Sequence, residues 1–267
     1  EVADFCEKNN FRYYLAYGTL IGVVRHHGFI PWDDDIDIQM PRPDYDRFAE
    51  QFNHSKHEHN LRAVVPTDKI AKHTFIKVCD FDTKKIENGI RYKKDDYLGI
   101  DIDVFPLDGL PQDDTEYTVS YNVKKHIFEM YSKTISTVYT GDLNLNFNGM
   151  LKLIHRFGKV ASGRICKAFL PSYSKRSLLT KMYQLETEIS YDEAVMIGTD
   201  CSLFDVYNDR YPKKCFESYT YMPFEGTPLR VPIGYDEVLT KQYGNYMTPP
   251  SLEEQITHHG NVVFERI

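Results

Sequence analysis

The stretch FIPWDDDIDIQM, residues 29–40, combines a dense acidic group with the alternation typical of a buried strand. It holds four aspartates: Asp33, Asp34, Asp35 and Asp37. A run of carboxylates is most often a solvated loop. In a strand, however, residues two apart share a face, so the order Asp-Ile-Asp-Ile over 35–38 predicts two carboxylates on one face and two isoleucines against a core. We therefore predict that Asp35 and Asp37 face a common site, where a cation relieves their repulsion.

A second alternating stretch, LGIDIDVFPLDGLP at residues 98–111, places Asp101 and Asp103 on one face for the same reason. Hard oxygen ligands suit Mg²⁺ or Mn²⁺, which bind through one or two carboxylates, water and substrate phosphates. A third carboxylate from this strand either completes the ligand set or serves as the general base for a hydroxyl nucleophile. Asp33 and Asp34 either cap the turn and orient a ligand or are solvated charges.

A short helix is predicted directly before the acidic stretch. Gly18 and Thr19 precede the apolar run LIGVVRHH, with Thr19 as a suitable N-cap. Gly28 ends this predicted helix, which spans 19–27. The first turn of a helix presents unpaired backbone N–H groups and a positive dipole end, both of which favour a bound phosphate. Arg25 either adds a bidentate phosphate contact or forms a salt bridge with the acidic residues. A helix start that binds phosphate beside a cation site is the apparatus of phosphoryl transfer.

Composition limits the class of protein. The 267 residues are 42% hydrophobic and 27% charged, which is typical of a globular chain of one large domain or a core with a subdomain. A net charge of −7 argues against nucleic acid as a partner, because nucleic-acid binding needs a basic surface. The five cysteines form no CxxC pair, so we expect neither a zinc ribbon nor a disulfide framework. This pattern indicates either a reducing compartment or cysteines without a functional role.

No run of 18 apolar residues is present, so no transmembrane segment is predicted. The chain opens within a predicted helix at 2–8, which leaves an upstream segment open. Other expected elements are a helix at YDRFAEQF (45–52), strands at LRAVVP and TFIKVCDF, a polar hairpin around 87–89, and a C-terminal hairpin followed by a helix over 235–243. Helical patterns over 114–190 break at Gly141-Asp142 and Pro171. We predict a core at 1–113, a helical insertion at 114–190 and a completing segment at 191–267.

Three stretches carry a family resemblance. They are AYGTLIGVVRHHGFIPWDDDIDIQMPRPDYDRF, IDVFPLDGLP and YGNYMTPP. Together they resemble the LicD family of phosphotransferases, which includes the fukutin-related proteins. The resemblance is close over residues 1–110 and returns at about 219–259, whereas the helical middle is unmatched. The acidic motif with its tryptophan is highly specific, and the tail motif alone would be weak.

The resemblance implies an α/β fold of the nucleotidyltransferase type typified by DNA polymerase beta, with a mixed-sheet core and a helical insertion. It implies transfer of a phosphorylated alcohol, such as phosphocholine from CDP-choline, to a sugar hydroxyl of a cell-surface glycan or lipid-linked saccharide, as in lipopolysaccharide, teichoic acid or capsule. A nucleotidyltransferase that leaves NMP on its acceptor and a non-catalytic nucleotide-binding protein stay open as alternatives. We expect a cytoplasmic protein and leave open its association with the inner face of the membrane.

By motif position, the resemblance assigns Gly18 and Thr19 to the nucleotide phosphates and Asp35 and Asp37 to paired ligands of Mg²⁺ or Mn²⁺. The third aspartate of the motif falls on Asp103.

This chain also carries an aspartate, Asp101, at a position that is usually apolar in the family, so Asp101 stays open as the alternative third ligand. Asp108, in PLDG, is expected in an Asx turn that closes the loop rather than as a ligand. Lys77 alternates with apolar neighbours in TFIKVCDF, and therefore either neutralises phosphate or is an ordinary lysine of the sheet surface.

Trp32 either packs the turn over the core or stacks on a base. His258 and His259 follow the double proline, and His259 is the candidate to line the cleft. A choline head group would require an aromatic cage, since a quaternary ammonium is held by ring faces. With 20 tyrosines and 16 phenylalanines, the sequence makes such a cage feasible and identifies none of its members.

Overall fold

The computed structural model describes residues 1–87, 98–135, 158, 161, 174–201, 209–255 and 262–266. The helices are α1 (Val2–Lys8), α2 (Tyr17–His26), α3 (Arg42–His54), α4 (Asp114–Ile135), α5 (Lys175–Glu186) and α6 (Tyr235–Tyr243). The strands are β1 (Tyr14–Leu15), β2 (Asp37–Pro41), β3 (Leu61–Val64), β4 (Ile76–Asp80), β5 (Thr83–Glu87), β6 (Asp101–Leu110), β7 (Met196–Gly198), β8 (Arg210–Pro212), β9 (Tyr219–Phe224), β10 (Thr227–Pro232) and β11 (Val262–Arg266). The expected turn at 88–89 and the helix breaks at 141–142 and 171 lie outside the described residues.

A mixed sheet of seven strands forms the centre of the molecule. Its main path runs β1-β2-β6-β4-β3, and β7 and β8 extend it from the carboxyl-terminal half of β6. The β2–β6 pair is parallel, whereas the other pairs are antiparallel. The expectation of a mixed α/β architecture is therefore confirmed, and its assignment to the nucleotidyltransferase type stays a prediction.

The alternation in the sequence explains how β2 and α3 bury their apolar faces. Ile38 and Met40 of β2 lie in the main hydrophobic core. Phe48 and Phe52 of α3, at helical spacing, pack in the same core, where Phe52 meets Phe5 of α1 edge to face. Burial of such large side chains supplies the main stabilisation, about 1.5–3 kcal/mol for each. The predicted helices at the amino terminus and at 45–52 are confirmed.

The carboxyl-terminal segment packs on the same core as the amino-terminal half. Val231 of β10 and Leu239 of α6 belong to the cluster that contains Phe48. The predicted hairpin is confirmed as β9–β10, and the helix predicted over 235–243 is confirmed with the same bounds. Helices α4 and α5 share a separate small core around Tyr131 and Met182. The division into core, insertion and completing segment stays a prediction.

The prediction that Asp108 closes a turn is wrong. Asp108 lies within β6 and is buried, with only 1% of its surface exposed. Arg42 donates to both of its carboxylate oxygens, from Nε at 2.5 Å and from Nη2 at 2.6 Å, and Nη2 also reaches Glu186 at 3.0 Å. The local sequence PLDG suggested a turn, but this distant arginine allows the carboxylate to be buried inside a strand.

The described cysteines are free thiols, and Cys166 lies outside the described residues. Burial raises the pKa of Cys79 to about 12 and that of Cys215 to about 11, so both stay protonated and unreactive near neutral pH. Within the described residues, no helix is both long and apolar enough to span a membrane.

Candidate active site

A row of charged residues crosses three adjacent strands of the sheet. In the parallel β2–β6 register, Asp37 is the partner of Asp103, and in the antiparallel β4–β6 register Lys77 is the partner of the same Asp103. Hydrogen-bonded strands lie about 4.8 Å apart, so the three side chains are immediate neighbours. The register therefore brings the two acidic stretches together, although 66 residues separate their paired aspartates.

Lys77 connects the two aspartates of β6. Its ammonium donates to both Asp101 and Asp103, and Lys85 donates to Asp101 at 3.2 Å. Burial alone would lower the pKa of Lys77, but the two carboxylates outweigh burial and raise it, so Lys77 stays charged. Because only 9% of its side chain is exposed, Lys77 is not an ordinary lysine of the sheet surface.

Asp101 and Asp103 differ in their electrostatic surroundings. Burial tends to raise the pKa of Asp101, but Lys77 and Lys85 together lower it below its usual value. For Asp103 burial dominates, and its pKa is raised to about 6 despite the opposing charge of Lys77. Asp101 is thus held as a fully paired anion, whereas Asp103 retains an unfavourable negative charge.

Asp37 is the most perturbed carboxylate of the group. Burial is the largest cause that raises its pKa well above the usual range, followed by repulsion from Asp35, Asp103 and Asp33. Among the described residues it forms no salt bridge, in contrast to Asp103, which is paired with Lys77. A buried carboxylate that lies near other carboxylates and forms no salt bridge within the described residues favours the binding of a cation.

The first turn of α2 is bonded to the amino-terminal end of β2. The hydroxyl of Thr19 accepts a hydrogen bond from the backbone N–H of Asp37 at 2.9 Å, and the backbone N–H of Ala16 donates to the carbonyl of Asp37 at 3.0 Å. The helix begins at Tyr17 with Ala16 as its N-cap, so the prediction that Thr19 caps a helix over 19–27 is wrong. Its hydroxyl is instead buried between the helix and the strand, where it fixes the position of Asp37.

Gly18 allows a carboxylate to approach this first turn. A side-chain Cβ at Gly18 would overlap the Oδ2 atom of Asp33, so that carboxylate lies directly over the glycine. An anion at the amino-terminal end of a helix is favoured by the N–H groups and the dipole. The turn thus already accepts a negative group at the place where the sequence predicts a phosphate.

The helix start is also held from beneath by a buried aspartate that the sequence did not suggest. Tyr17 has a positive φ of 47°, and its hydroxyl donates to Asp209 at 2.6 Å. Tyr211 and Gln242 donate to the same carboxylate at 2.6 and 3.1 Å. Burial raises the pKa of Asp209 to about 6, an effect that these donors oppose. Together they hold an uncommon backbone conformation at the entrance of α2.

A cavity of about 690 Å³ opens over these elements. One wall comes from the amino-terminal half and includes Gly18, Arg25, Trp32, Asp33, Asp35 and Asp37. The other wall comes from the end of α6 and the turn after it, and consists of Tyr243, Asn245, Tyr246, Thr248 and Pro250. This second wall is the YGNYMTPP stretch, a family motif whose sequence did not indicate that these residues line a site. The volume of the cavity is within the range of small-molecule sites.

Arg25 joins the two walls. Its Nη1 donates to the carbonyl of Tyr246 at 2.7 Å, and its Nε donates to His26 at 2.9 Å. In the described part of the chain, its salt-bridge alternative with the acidic residues is not realised. Arg25 therefore places a positive charge on the cavity, on the same wall as the aspartates.

The predicted site residues separate into three groups. Those that line the cavity are Gly18, Arg25, Trp32, Asp35 and Asp37. Those next to it, through hydrogen bonds or strand register, are Thr19, Asp103, Lys77 and Asp101. His259 and its neighbour His258 lie outside the described residues, and Asp34 is exposed. Asp35 precedes β2, so the predicted strand is shorter than the alternation suggested.

The donor set fits a hard divalent cation. Asp35, Asp37 and Asp103 offer only carboxylate oxygen, the ligand type that Mg²⁺ and Mn²⁺ prefer. Their oxygens do not form a closed set, because among the described residues only Glu1, Glu58 and His59 bring three ligand atoms within 4.8 Å of one another. Mg²⁺ does not need such a set, since it is commonly held by one or two carboxylates, water and substrate phosphates.

Comparison with known proteins assigns the class that this fold and cavity define. The profile of the family described as "LicD/FKTN/FKRP, nucleotidyltransferase domain" matches residues 10–143. The chain is 32% identical to the lipopolysaccharide cholinephosphotransferase LicD of Haemophilus influenzae over 260 residues, which cover 95% of this chain and 89% of the relative. The chain therefore belongs to the LicD family, and it is a phosphotransferase of the LicD type.

Two shorter matches are confined to a small part of each protein. An uncharacterised protein of Rickettsia typhi is 49% identical over 47 residues, which are 18% of this chain and 15% of the relative. One of Rickettsia prowazekii is 54% identical over 41 residues, which are 15% of each. These matches carry no information on substrates.

Proposed function

We propose that the chain catalyses metal-dependent transfer of a phosphorylated alcohol, with phosphocholine as the first candidate, from a CDP-linked donor to a sugar hydroxyl. The observation that carries the proposal is the pairing of Asp37 with Asp103 in the β2–β6 register, directly beside the first turn of α2. The printed name of the Haemophilus influenzae relative supports phosphocholine as the group and lipopolysaccharide as the class of acceptor.

In this proposal the carboxylates hold Mg²⁺ or Mn²⁺, and the helix start holds the donor. Asp35 and Asp37 are the metal ligands, and Asp103 is preferred to Asp101 as the third, because Asp101 is already paired with two lysines. The bound metal would neutralise phosphate charge. The diphosphate of the donor takes the place of the Asp33 carboxylate at the first turn of α2 beside Gly18, with Arg25 as a cationic contact.

The transfer step balances as a substitution at phosphorus. The hydroxyl oxygen of the acceptor attacks the phosphorus that carries the alcohol, the bond from that phosphorus to the bridging oxygen breaks, and CMP leaves. The proton of the hydroxyl passes to a base. Asp103, whose pKa is raised to about 6, is the candidate for that role as well as for the third ligand. The chain contributes chiefly position and charge, as is typical of phosphoryl transfer.

Calorimetric titration with CDP-choline, with and without Mg²⁺, tests the proposal. We expect binding that is tighter with Mg²⁺ in the wild type and a loss of this dependence in Asp37→Asn. Asp34→Asn is the matched control, because Asp34 lies in the same loop but is exposed. Absence of any nucleotide diphosphate binding in the presence of Mg²⁺ would contradict the proposal.

A nucleotidyltransferase that attacks the other phosphorus is the second candidate, since the family profile carries that description. Mass spectrometry of the products separates the two reactions. Phosphoalcohol transfer releases CMP and adds phosphocholine to the acceptor, whereas nucleotidyl transfer from CDP-choline releases phosphocholine and adds CMP. A non-catalytic binding protein would release neither product.

The remaining parts of the proposal concern the division of the chain into segments and the cellular location of the reaction. We propose a nucleotidyltransferase-like core at 1–113, completed by 191–267, with the acceptor bound on the side of 114–190. The acceptor is a cell-surface glycan or its lipid-linked precursor, and the enzyme acts in the cytoplasm at the inner face of the membrane. Substitutions confined to α4 test this arrangement. It is supported if they lower the affinity for the acceptor and leave the affinity for the donor unchanged.

A further inference from the structure

The cavity beside the carboxylates carries aromatic side chains on both walls. Trp32, the only tryptophan of the chain, lies in the acidic loop and packs partly against the main core. Tyr243 ends α6 and Tyr246 follows in the next turn, and all three line the cavity of about 690 Å³. The chain separation of more than 200 residues means that only the fold assembles this group.

The two tyrosines are positioned to offer rings to the cavity. The hydroxyl of Tyr246 donates to Asp236 at 2.6 Å, and Asp236 does not line the cavity, so the polar tip of this side chain is engaged elsewhere. Tyr243 is 46% exposed. Burial of its hydroxyl and the nearby carboxylates of Asp209 and Asp37 raise its pKa, so the ring is neutral and lies beside the acidic wall.

The walls of the cavity combine aromatic and charged side chains. Within the described part of the chain, the carboxylates of Asp33, Asp35 and Asp37 and the guanidinium of Arg25 line it. A quaternary ammonium cannot donate hydrogen bonds and is held instead by aromatic faces and by nearby negative charge. A neutral polyol needs hydrogen-bond partners for each hydroxyl, and ring faces supply none.

We propose that Trp32, Tyr243 and Tyr246 form the subsite that holds the quaternary ammonium head group of the donor. The inference rests on the proposed function, which it deepens by assigning residues to the alcohol. The acidic loop then has two tasks: Asp35 and Asp37 face the metal and the phosphates, while the neighbouring Trp32 selects the group attached to them.

The test compares CDP-choline with CDP-3,3-dimethylbutanol, in which carbon replaces the charged nitrogen without a change of shape. Binding is measured by calorimetry with Mg²⁺, and CDP serves as the ligand without an alcohol. We expect the wild type to bind CDP-choline roughly 3- to 30-fold more tightly than the neutral analogue, the range that cation–π contacts supply. Trp32→Leu and Tyr243→Leu should reduce this ratio several-fold and leave the affinity for CDP unchanged. Trp32→Phe should retain most of it.

Tyr221→Leu is the matched control, because Tyr221 is 48% exposed, much like Tyr243, but lies on β9 outside the cavity lining. It should leave the ratio at the wild-type value. If the Trp32 variants lose stability, Tyr243→Leu still tests the subsite, because Tyr243 is half exposed and its replacement removes little buried surface.

The outcomes separate the inference from the proposed function. Equal binding of CDP-choline and its neutral analogue by the wild type would overturn the aromatic subsite and leave the transferase proposal intact. Equal weakening of CDP and CDP-choline in Trp32→Leu would also overturn it, because it would show that the ring stacks on the base. Failure of the wild type to bind any of the three nucleotides would overturn the proposed function itself.

Discussion

Two carboxylates of β6, Asp103 and Asp108, have different surroundings: Asp108 is buried, whereas Asp103 is partly exposed. They are five residues apart, an odd number, so the alternation of a strand turns them to opposite faces of the sheet. Asp108 is held by two hydrogen bonds from the guanidinium of Arg42, which also contacts Glu186 and lies over the ring of Tyr45 at 5.0 Å. Asp103 shares one lysine with Asp101 and has Asp37 as its register partner.

The comparison of Asp103 with Asp108 shows that an aspartate can stabilise the fold in one setting and be available to a ligand in another. The planar fork of Arg42 matches a carboxylate geometrically and donates to both Asp108 and Glu186, so each buried carboxylate of the Asp108 cluster has a partner and the cluster is complete in that sense. Asp37, in contrast, forms no salt bridge within the described residues, and burial first and then repulsion from Asp35 and Asp103 raise its pKa well above the usual range. We infer that the complete cluster stabilises the fold and that the incomplete one is kept for a ligand.

The largest expected effect is on catalysis at the incomplete cluster. Asp37→Asn should lower the rate of phosphocholine transfer by more than about 100-fold, beyond the 10- to 100-fold that loss of a metal ligand's hydrogen-bond partner produces. Its thermal stability in EDTA should hold or rise by a few degrees, because one repelling charge is removed. The measurements are product formation with Mg²⁺ and Tm in EDTA. Wild-type activity together with a lower Tm would mean that the acidic stretch is only a structural turn.

At the complete cluster the expected effect falls on stability. Arg42→Met leaves buried carboxylates without their partner, and we expect a loss of about 3–5 kcal/mol in the free energy of unfolding. For a chain of this size, that corresponds to a fall in Tm of roughly 6–20 °C. Assayed well below its Tm, the variant should retain CDP-choline affinity within about twofold. A large loss of affinity in the folded variant would break the distinction between the two clusters.

A smaller effect is expected where α2 is bonded to β2. Thr19→Val keeps the shape of the side chain but leaves the buried N–H of Asp37 without its acceptor, at a cost of about 1–3 kcal/mol. Thr19→Ser should restore most of this stability, because it retains the hydroxyl. Thermal unfolding of both variants provides the comparison, and equal Tm values for valine and serine would show that the hydrogen bond is unimportant.

The smallest effect is the pH dependence of stability in the metal-free protein. The pKa of Asp37 is raised in the folded state above the unfolded value of about 3.9, so its favourable contribution exists below that pH and is lost as pH rises. Asp37→Asn lacks this titration. The Tm of the variant minus that of the wild type, measured in EDTA, should therefore increase from about pH 4 to pH 8, and Mg²⁺ should reduce it. A difference that is constant with pH would refute the electrostatic account.

The sequence predicted the local elements of the site but not the contacts between them. Alternation was sufficient to place Asp101 and Asp103 on one face, and the family motif singled out Asp37. The parallel register that joins Asp37 to Asp103 depends on pairing between strands 66 residues apart, which alternation does not encode.

Three errors and omissions have the same origin. Thr19 has the chemistry of an N-cap, but its hydroxyl bonds to β2 instead. Asp108 stands in a turn-like sequence, but Arg42 allows it to be buried. Tyr243 and Tyr246 stand in a short motif at the end of an ordinary surface helix, and periodicity gives no sign that they face a cavity. In each case a partner distant in sequence decides the role.

The cavity has a consequence for the order in which the enzyme becomes competent during its synthesis. One wall ends at Asp37 and the other lies at 243–250, so the ribosome adds some 200 residues between them. At about 5–20 residues per second, that interval is on the order of ten seconds or more. A nascent chain whose acidic loop has already been made therefore still lacks the second wall of the cavity, including the carbonyl of Tyr246 to which Arg25 donates a hydrogen bond. On the proposed function the donor needs both walls of this cavity, so we expect a chain that terminates before the end of α6 to be inactive.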